Sequence, residues 1–381
     1  MFSLGFSLSL QVELRTVTAI TNCKSACFER KMKSLVVDKF VNDYDELQVT
    51  ELSNHDVPYG HALVQVKAAG LTFVDLLYAR GKHQNNKSLH TPPFTLGSEF
   101  SGVILSTNPP ALSLSSFSPG ARVYGSHLGA FATHIYVPLS SFRIVPSSWS
   151  FPDAAGISST LPVSYGALKR AGLERGQSVL VHAAAGGLGL MAVQVAKALG
   201  CTVVATASTS SKLAVAKKFG ADYLVNYSDE DWEKRVLDAT KGVGVDVVYD
   251  PVGLVDQSLR CLKHGGRILL IGFAGREGNM EKIAMNRVLL KQAVIIGYRY
   301  GETHRRNPEE TRAIWETLDS MIAKGEIKPT IYDGDFKGLE SIPRAMKDMA
   351  DRKVWGKAVI TLEGTDQAER RQRKLDIRAN I

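Results

Sequence analysis

The chain has 381 residues, 44% of them hydrophobic and 22% charged, enough for two ordinary domains with separate cores and too apolar for a disordered protein. Its net charge of +8 comes from basic residues scattered along the chain, with no aromatic-interleaved basic run, so it favours small anions and argues against nucleic acid as a partner. Cys23, Cys27, Cys201 and Cys261 are too few and too dispersed for a disulfide framework or a four-thiolate zinc lobe, and a reducing compartment, cytoplasmic or alternatively mitochondrial, is expected.

Residues 1–31 stand apart. Met1 to Leu10 is apolar and serine-rich with no preceding base, unlike a secretory signal, and Arg15, Lys24, Arg30 and Lys31 outnumber Glu13 and Glu29. This reads as a disordered or mitochondrial-targeting leader. From Lys33 to about Pro146 the pattern is short apolar runs: Leu35–Val37, Ala62–Val66, Gly102–Leu105, Arg122–Tyr124 and Phe131–Val137. Pro and Gly clusters separate them, which predicts an antiparallel, barrel-like β domain over 32–153, with one helix at Phe73–Arg80.

Near Ala154 the grammar changes to strands alternating with helices. Strands are expected at Val179–Ala183, Thr202–Ala207, Tyr223–Asn226, Val245–Asp250, Arg267–Ile271 and Val294–Tyr298. Helices at Ser211–Phe219, Trp232–Thr240 and Thr311–Lys324 lie between some of them, which predicts a doubly wound parallel sheet over 154–327. The stretch Val179 to Leu199 is interrupted by His182, Gln194 and Lys197, so it is a strand and a helix and not a membrane span. Residues 328–362 turn β-like again, with Lys357–Leu362 expected to rejoin the first domain, and 363–381 is a polar tail.

The chemistry concentrates in His182-Ala-Ala-Ala-Gly-Gly-Leu-Gly189. A strand, a glycine turn and a helix N-terminus gather free N–H groups and the positive dipole end at one point, which suits a pyrophosphate. Ala184, Gly186 and Gly189 hold the three positions of a dinucleotide fingerprint, with Gly187 and Leu188 inside the turn. Gly186 would let phosphate approach the backbone, and Gly189 would let helix and strand pack closely. An NAD site usually places an acid at the end of the second strand; here that end reads Ala207-Ser-Thr-Ser-Ser-Lys212. Ser208 can donate to a 2′-phosphate and Lys212 can neutralise it, so NADPH is the expected cofactor. On the plainer reading Ser210 or Ser211 caps the next helix and Lys212 is solvated.

Further motifs extend the pattern: Gly70-Leu-Thr-Phe-Val-Asp75, Gly97-Ser-Glu-Phe-Ser-Gly102, Pro119–Val123, Phe219–Asp222, Asp250–Gly253 and Leu262–Arg267 followed by Ile271–Gly275. Over roughly Met32 to Leu362 this order resembles the medium-chain dehydrogenase/reductase superfamily, in its zinc-free quinone oxidoreductase (zeta-crystallin-like) branch. The resemblance implies a Rossmann domain joined to a GroES-like β-barrel domain. Thr72 and Ser98 stand where zinc-dependent members carry Cys and His, so no metal is expected; Glu99 is read as a buried carboxylate bonding backbone. Thr72 replaces an Asn that usually faces the nicotinamide, and His83 lies where a Tyr is often found, so these two are the candidate donors. Tyr227 matches an Asn-Tyr pair near the adenosine phosphate, and Phe273 and Ala274 lie where a loop would cover the nicotinamide. Tyr78, His182 and Asp250 are read as structural.

The implied function is NADPH-dependent, metal-free hydride transfer to quinones or conjugated carbonyls. The alternatives are an enoyl-thioester reductase acting on coenzyme A or acyl-carrier substrates, and a weakly catalytic NADPH-binding sensor or structural protein. A homodimer pairing through the sheet edge near Val294 to Tyr298 is implied as well, with no membrane partner.

Overall fold

The computed structural model describes residues 32–109, 117–276 and 281–362; the expected leader and tail lie outside the described residues. In the N-terminal lobe the strands are β1 (Met32–Val37), β2 (Gln48–Leu52), β3 (His61–Gly70), β4 (Phe94–Thr95), β5 (Glu99–Asn108), β6 (Arg122–Ser126), β7 (His134–Pro138) and β8 (Phe142–Ile144). Helix α1 (Phe73–Ala79) lies between β3 and β4, and α2 (Phe151–Ala155) and α3 (Leu161–Arg170) follow β8. Alternating burial along β3 marks a strand with one face on the core. It pairs antiparallel with β5 from His61–Asn108 to Gly70–Glu99.

The second lobe runs β9 (Ser178–Val181), α4 (Gly187–Ala198), β10 (Thr202–Ala207), α5 (Ser210–Lys218), β11 (Tyr223–Asn226), α6 (Trp232–Ala239) and β12 (Val245–Asp250). It continues through α7 (Val255–Cys261), β13 (Leu262–Leu270), α8 (Met285–Lys291), β14 (Val294–Gly297), α9 (Tyr300–Arg306) and α10 (Pro308–Ala323). The chain then forms α11 (Ile342–Ala350) and β15 (Val359–Thr361).

The strands of the second lobe form one six-stranded sheet in the order β11-β10-β9-β12-β13-β14, parallel throughout. Near-continuous apolar runs explain this: Val179, Leu180, Val181, Val203, Val204 and Ala205 are buried on both faces, as a helix-covered parallel sheet requires. The antiparallel strands divide into a sheet β15-β3-β5-β6-β8, with β7 on β3, and a three-stranded sheet β2-β1-β4; a bridge from Ser34 to Ala132 links the two. β15 pairs with β3.

Several elements went unread in the sequence. The pair α2 and α3, starting at the Ser150–Asp153 capping box, and the short α7, α8, α9 and α11 lack the long periodic stripe that makes a helix visible. β13 starts at Leu262, before the expected Arg267, because Gly265 and Gly266 interrupt its apolar pattern without ending the strand.

Candidate functional site

The turn after β9 is built by close approach. Ala183 adopts a left-handed φ of 46°, and the N–H of Gly186 closes the turn on the Ala183 carbonyl at 2.8 Å. A side chain at Gly189 would place its Cβ 2.3 Å from the Ala183 oxygen; only glycine lets the first turn of α4 sit this close to its strand. Gly186 is the N-cap and provides no side-chain cap. The N–H groups of Gly187, Leu188 and Gly189 therefore lack helix partners and point out of the turn. Ala184 is buried beneath them. These groups lie at the carboxyl end of a central strand, and free N–H groups at a helix N-terminus there fit a pyrophosphate.

At the end of β10 the cap differs from expectation. Thr209, and neither Ser210 nor Ser211, accepts from the Lys212 N–H at 3.3 Å, because the helix begins one residue earlier than expected, at Ser210. Ser208 stays half-buried beside it. Lys212 Nζ donates to the Arg352 carbonyl at 2.6 Å, so it is tethered and not merely solvated. Burial, then the nearby charge of Arg352, lowers the Lys212 pKa. Tyr227 follows β11, and its N–H bonds the Ala207 carbonyl at 3.2 Å. Ser208, Lys212 and Tyr227 thus share one corner, to which Arg352 adds a second cation.

On the other side of the turn Asp250 accepts from the N–H groups of Val252, Gly253 and Leu254, as expected of a structural carboxylate. His182 is satisfied at both ring nitrogens by Thr206 and Ser258, each at 2.8 Å. The loop after β13 brings Phe273, 44% exposed, to the carboxyl edge of the sheet, and the Ala274 N–H bonds the Pro251 carbonyl at 3.1 Å.

The facing lobe contributes a buried polar cluster. Thr72 caps α1: its hydroxyl donates to Asp75 Oδ2 at 2.7 Å and accepts the Asp75 N–H at 3.2 Å. Ser98 Oγ donates to the other oxygen, Oδ1, at 2.7 Å. Both residues at the zinc-ligand places are therefore turned onto one carboxylate, and the single Thr72 hydroxyl proton is already given to Asp75. Burial raises the Asp75 pKa against these donated bonds. Behind them Glu99 accepts from the Ser159 N–H and pairs with Lys357, whose Nζ lies 2.5 Å from Oε2. No group of three or more metal-ligating side chains gathers among the described residues.

His83 caps the short turn at Gln84–Lys87, with Nδ1 accepting the Asn85 N–H at 3.1 Å. In a neutral imidazole that places the proton on Nε2, a donor. Burial first, then the charges of Arg299 and His90, lower its pKa to about 4. Tyr78 packs edge-on to His83 and its hydroxyl accepts from Asn85 Nδ2 at 3.1 Å, a structural role. A pocket of about 530 Å3 lined by Tyr124, Phe142, Arg143 and Asp319 shares no residue with this cleft.

Two family profiles match the chain: alcohol dehydrogenase GroES-like domain over residues 58–146 and zinc-binding dehydrogenase over residues 187–320. A quinone oxidoreductase-like protein 2 homolog from Nematostella vectensis is 31% identical over 315 residues, covering 81% of this chain and 84% of that protein. The chain belongs to the medium-chain dehydrogenase/reductase superfamily, in its quinone oxidoreductase-like branch. As a member of this branch it is an oxidoreductase. Quinone oxidoreductase 1 of Escherichia coli is 30% identical over 322 residues, 82% of this chain and 95% of that enzyme. A crystal structure of an Escherichia coli quinone oxidoreductase complexed with NADPH superimposes with a TM-score of 0.74 at 27% identity, covering 87% of this chain and all of the other.

Three residues of this reductase's cleft escaped the sequence reading. Asp75 was legible: Thr72-x-x-Asp75 ahead of an apolar helix is a capping-box spacing. Lys357 and Arg352 carried no local signal. Gly356 bridges to Gly186, and its N–H bonds the Ala185 carbonyl at 2.7 Å. A Cβ at Gly187 would lie 2.9 Å from Lys357 Cδ. The returning chain thus roofs the glycine turn and joins it to Glu99.

Proposed function

We propose that this chain is an NADPH-dependent, metal-independent reductase of quinones and conjugated carbonyls. The observation that carries the reading is the acid-free corner of Ser208, Lys212 and Tyr227 beside the glycine turn, since a carboxylate there would repel a 2′-phosphate. A relative whose structure was solved with NADPH supports the cofactor. The engagement of Thr72 and Ser98 with Asp75 supports metal independence.

NADPH, when bound, supplies a hydride from its nicotinamide. The N–H groups of Gly187, Leu188 and Gly189 would bind its pyrophosphate, Ser208, Lys212 and Tyr227 its phosphorylated adenosine end, and Phe273 and Ala274 would cover the nicotinamide. His83 donates from Nε2 to the acceptor oxygen that gains negative charge. Thr72 works through Asp75 and Ser98 as a positioning residue that fixes the start of α1, and solvent returns the last proton. The apolar edge at β14, with Val294 half-exposed and Leu289 and Leu290 of α8 more than two-thirds exposed, supports a homodimer that continues the sheet.

The test is quinone reduction followed at 340 nm with NADPH and NADH, with and without chelator, beside metal analysis. NADPH-selective turnover untouched by chelator is expected. Equal use of both cofactors, or loss of activity in chelator, overturns the reading.

A further inference from the structure

The cavity of about 530 Å3 shares no residue with the glycine turn or with the buried polar cluster. Its floor is a pair of neighbouring strands. Tyr124 on β6 and Arg143 on β8 are direct cross-strand partners, so both side chains leave the same face of the sheet. Asp319 of α10 meets them from the second lobe, and Arg143 Nη1 donates to its Oδ2 at 2.8 Å. The same guanidinium lies 4.3 Å from the ring centroid of Trp315, one turn earlier on that helix. Phe142, Ile144 and Ile322 supply apolar wall, and Ser140 an exposed hydroxyl. The volume falls within the range of about 300–1,000 Å3 that small-molecule sites occupy.

Tyr124 is 2% exposed and meets Trp149 and Trp315 at ring-centroid distances of 6.5 Å and 6.3 Å. Among the described residues its hydroxyl has no hydrogen-bond partner, yet it is not one of the oxygens sealed from solvent. The open space that Tyr124 lines is this cavity. Buried hydroxyls are ordinarily paired, so one that opens onto a cavity is available to a ligand. Burial raises the Tyr124 pKa, which keeps the proton on the oxygen and makes it a donor. The acid beside it, Asp319, is already engaged by Arg143, so the lining charges cancel and a neutral occupant is favoured.

We propose that this cavity is a second ligand site, for neutral and mostly apolar ring compounds that carry a carbonyl, with the Tyr124 hydroxyl donating to the carbonyl oxygen. It is separate from the nucleotide cleft and does not depend on the reductase reading. Its walls come from both lobes, so an occupant ties β6 and β8 to α10 and stabilises the folded chain by mass action.

Benzophenone and diphenylmethane differ by the carbonyl alone and serve as probes, each titrated against the full-length protein in excess NADP+. Benzophenone should bind about fivefold more tightly, as expected for one net hydrogen bond. Tyr124→Phe should erase that difference and leave the melting temperature of the ligand-free protein unchanged or higher, because no hydrogen bond within the protein is lost. Ala323→Trp, at the exposed rim of the cavity, should block both probes. Irradiated benzophenone couples to neighbouring C–H bonds, and peptide mapping should place the label on β8 or α10. No binding of either probe to wild type, equal binding of the two, a preference that survives Tyr124→Phe, or labelling confined to residues 72–99 or to the glycine turn overturns the proposal. If Tyr124→Phe does not fold, loss of benzophenone binding in Ala323→Trp together with a label on β8 or α10 supports the site, and undiminished binding overturns it.

Discussion

Lys357 Nζ lies 2.5 Å from Glu99 Oε2, and both side chains are withdrawn from solvent. The pair joins the strand that opens the buried polar cluster to the chain that roofs the glycine turn. Breaking one member of such a pair strands a charge in a dry site, which costs roughly 3–5 kcal/mol. Lys357→Met should lower the urea midpoint accordingly. Adding Glu99→Gln, which keeps an acceptor for the Ser159 N–H, should recover most of the loss. Equal midpoints for wild type and Lys357→Met would show that the pair contributes no net stability.

Cofactor choice is the second prediction. Lys212→Ala should weaken NADPH binding by about tenfold or more, the equivalent of roughly 1.5–3 kcal/mol for a charge-assisted hydrogen bond, and leave NADH nearly unchanged. Calorimetric titration of both cofactors against both proteins checks it. Arg352 adds a second cation to this corner, and Arg352→Gly removes that charge while keeping the backbone carbonyl that holds Lys212, so it should have a smaller effect in the same direction.

His83 carries a pH signature. Its folded value of about 4 lies below the ordinary 6.5, so as pH falls the unfolded chain takes up the proton first. The stability this gives is complete above about pH 6.5 and is lost as pH falls toward 4. His90, His127 and His182 are lowered too, each chiefly by burial, so the His83 share is the difference between wild type and His83→Phe. Wild type should lose more stability between pH 7.5 and 5. In catalysis a neutral donor predicts no inflection of kcat/KM near pH 6.5, and a fall in activity above pH 5 would mean that the imidazolium is required.

Self-association is the last. Lys introduced at both Leu289 and Leu290, exposed on α8, would place charges against an apolar dimer seam. The double variant should elute as a monomer where wild type elutes as a dimer, at matched concentration in light scattering. An unchanged mass would move the interface elsewhere.

The strand, the glycine turn and the helix after it were legible because each is written in local spacing. Buried runs such as Val179–Val181 need no distant partner to be seen, and Gly189 announces a close contact that the fold makes with its own preceding strand. The acid-free end of β10 was equally plain, since charge type is a sequence property. Thr72 and His83 were identifiable as candidates, but whether each hydroxyl or ring proton faces the cleft depends on Asp75 and Asn85, which lie within three residues of them. The capping spacing recorded the first of these partnerships in the sequence all along.

By itself the sequence determined the two kinds of sheet, the glycine turn and the chemical character of the corner beside it, because periodicity and residue type act over a few residues. Only the tertiary structure decided that Lys357 neutralises Glu99 and that the Arg352 carbonyl holds Lys212. Those partners are far apart in the chain and meet because the returning chain brings β15 onto β3. A long-range contact between polar groups leaves no periodic trace, since one side chain at one position is enough to make it.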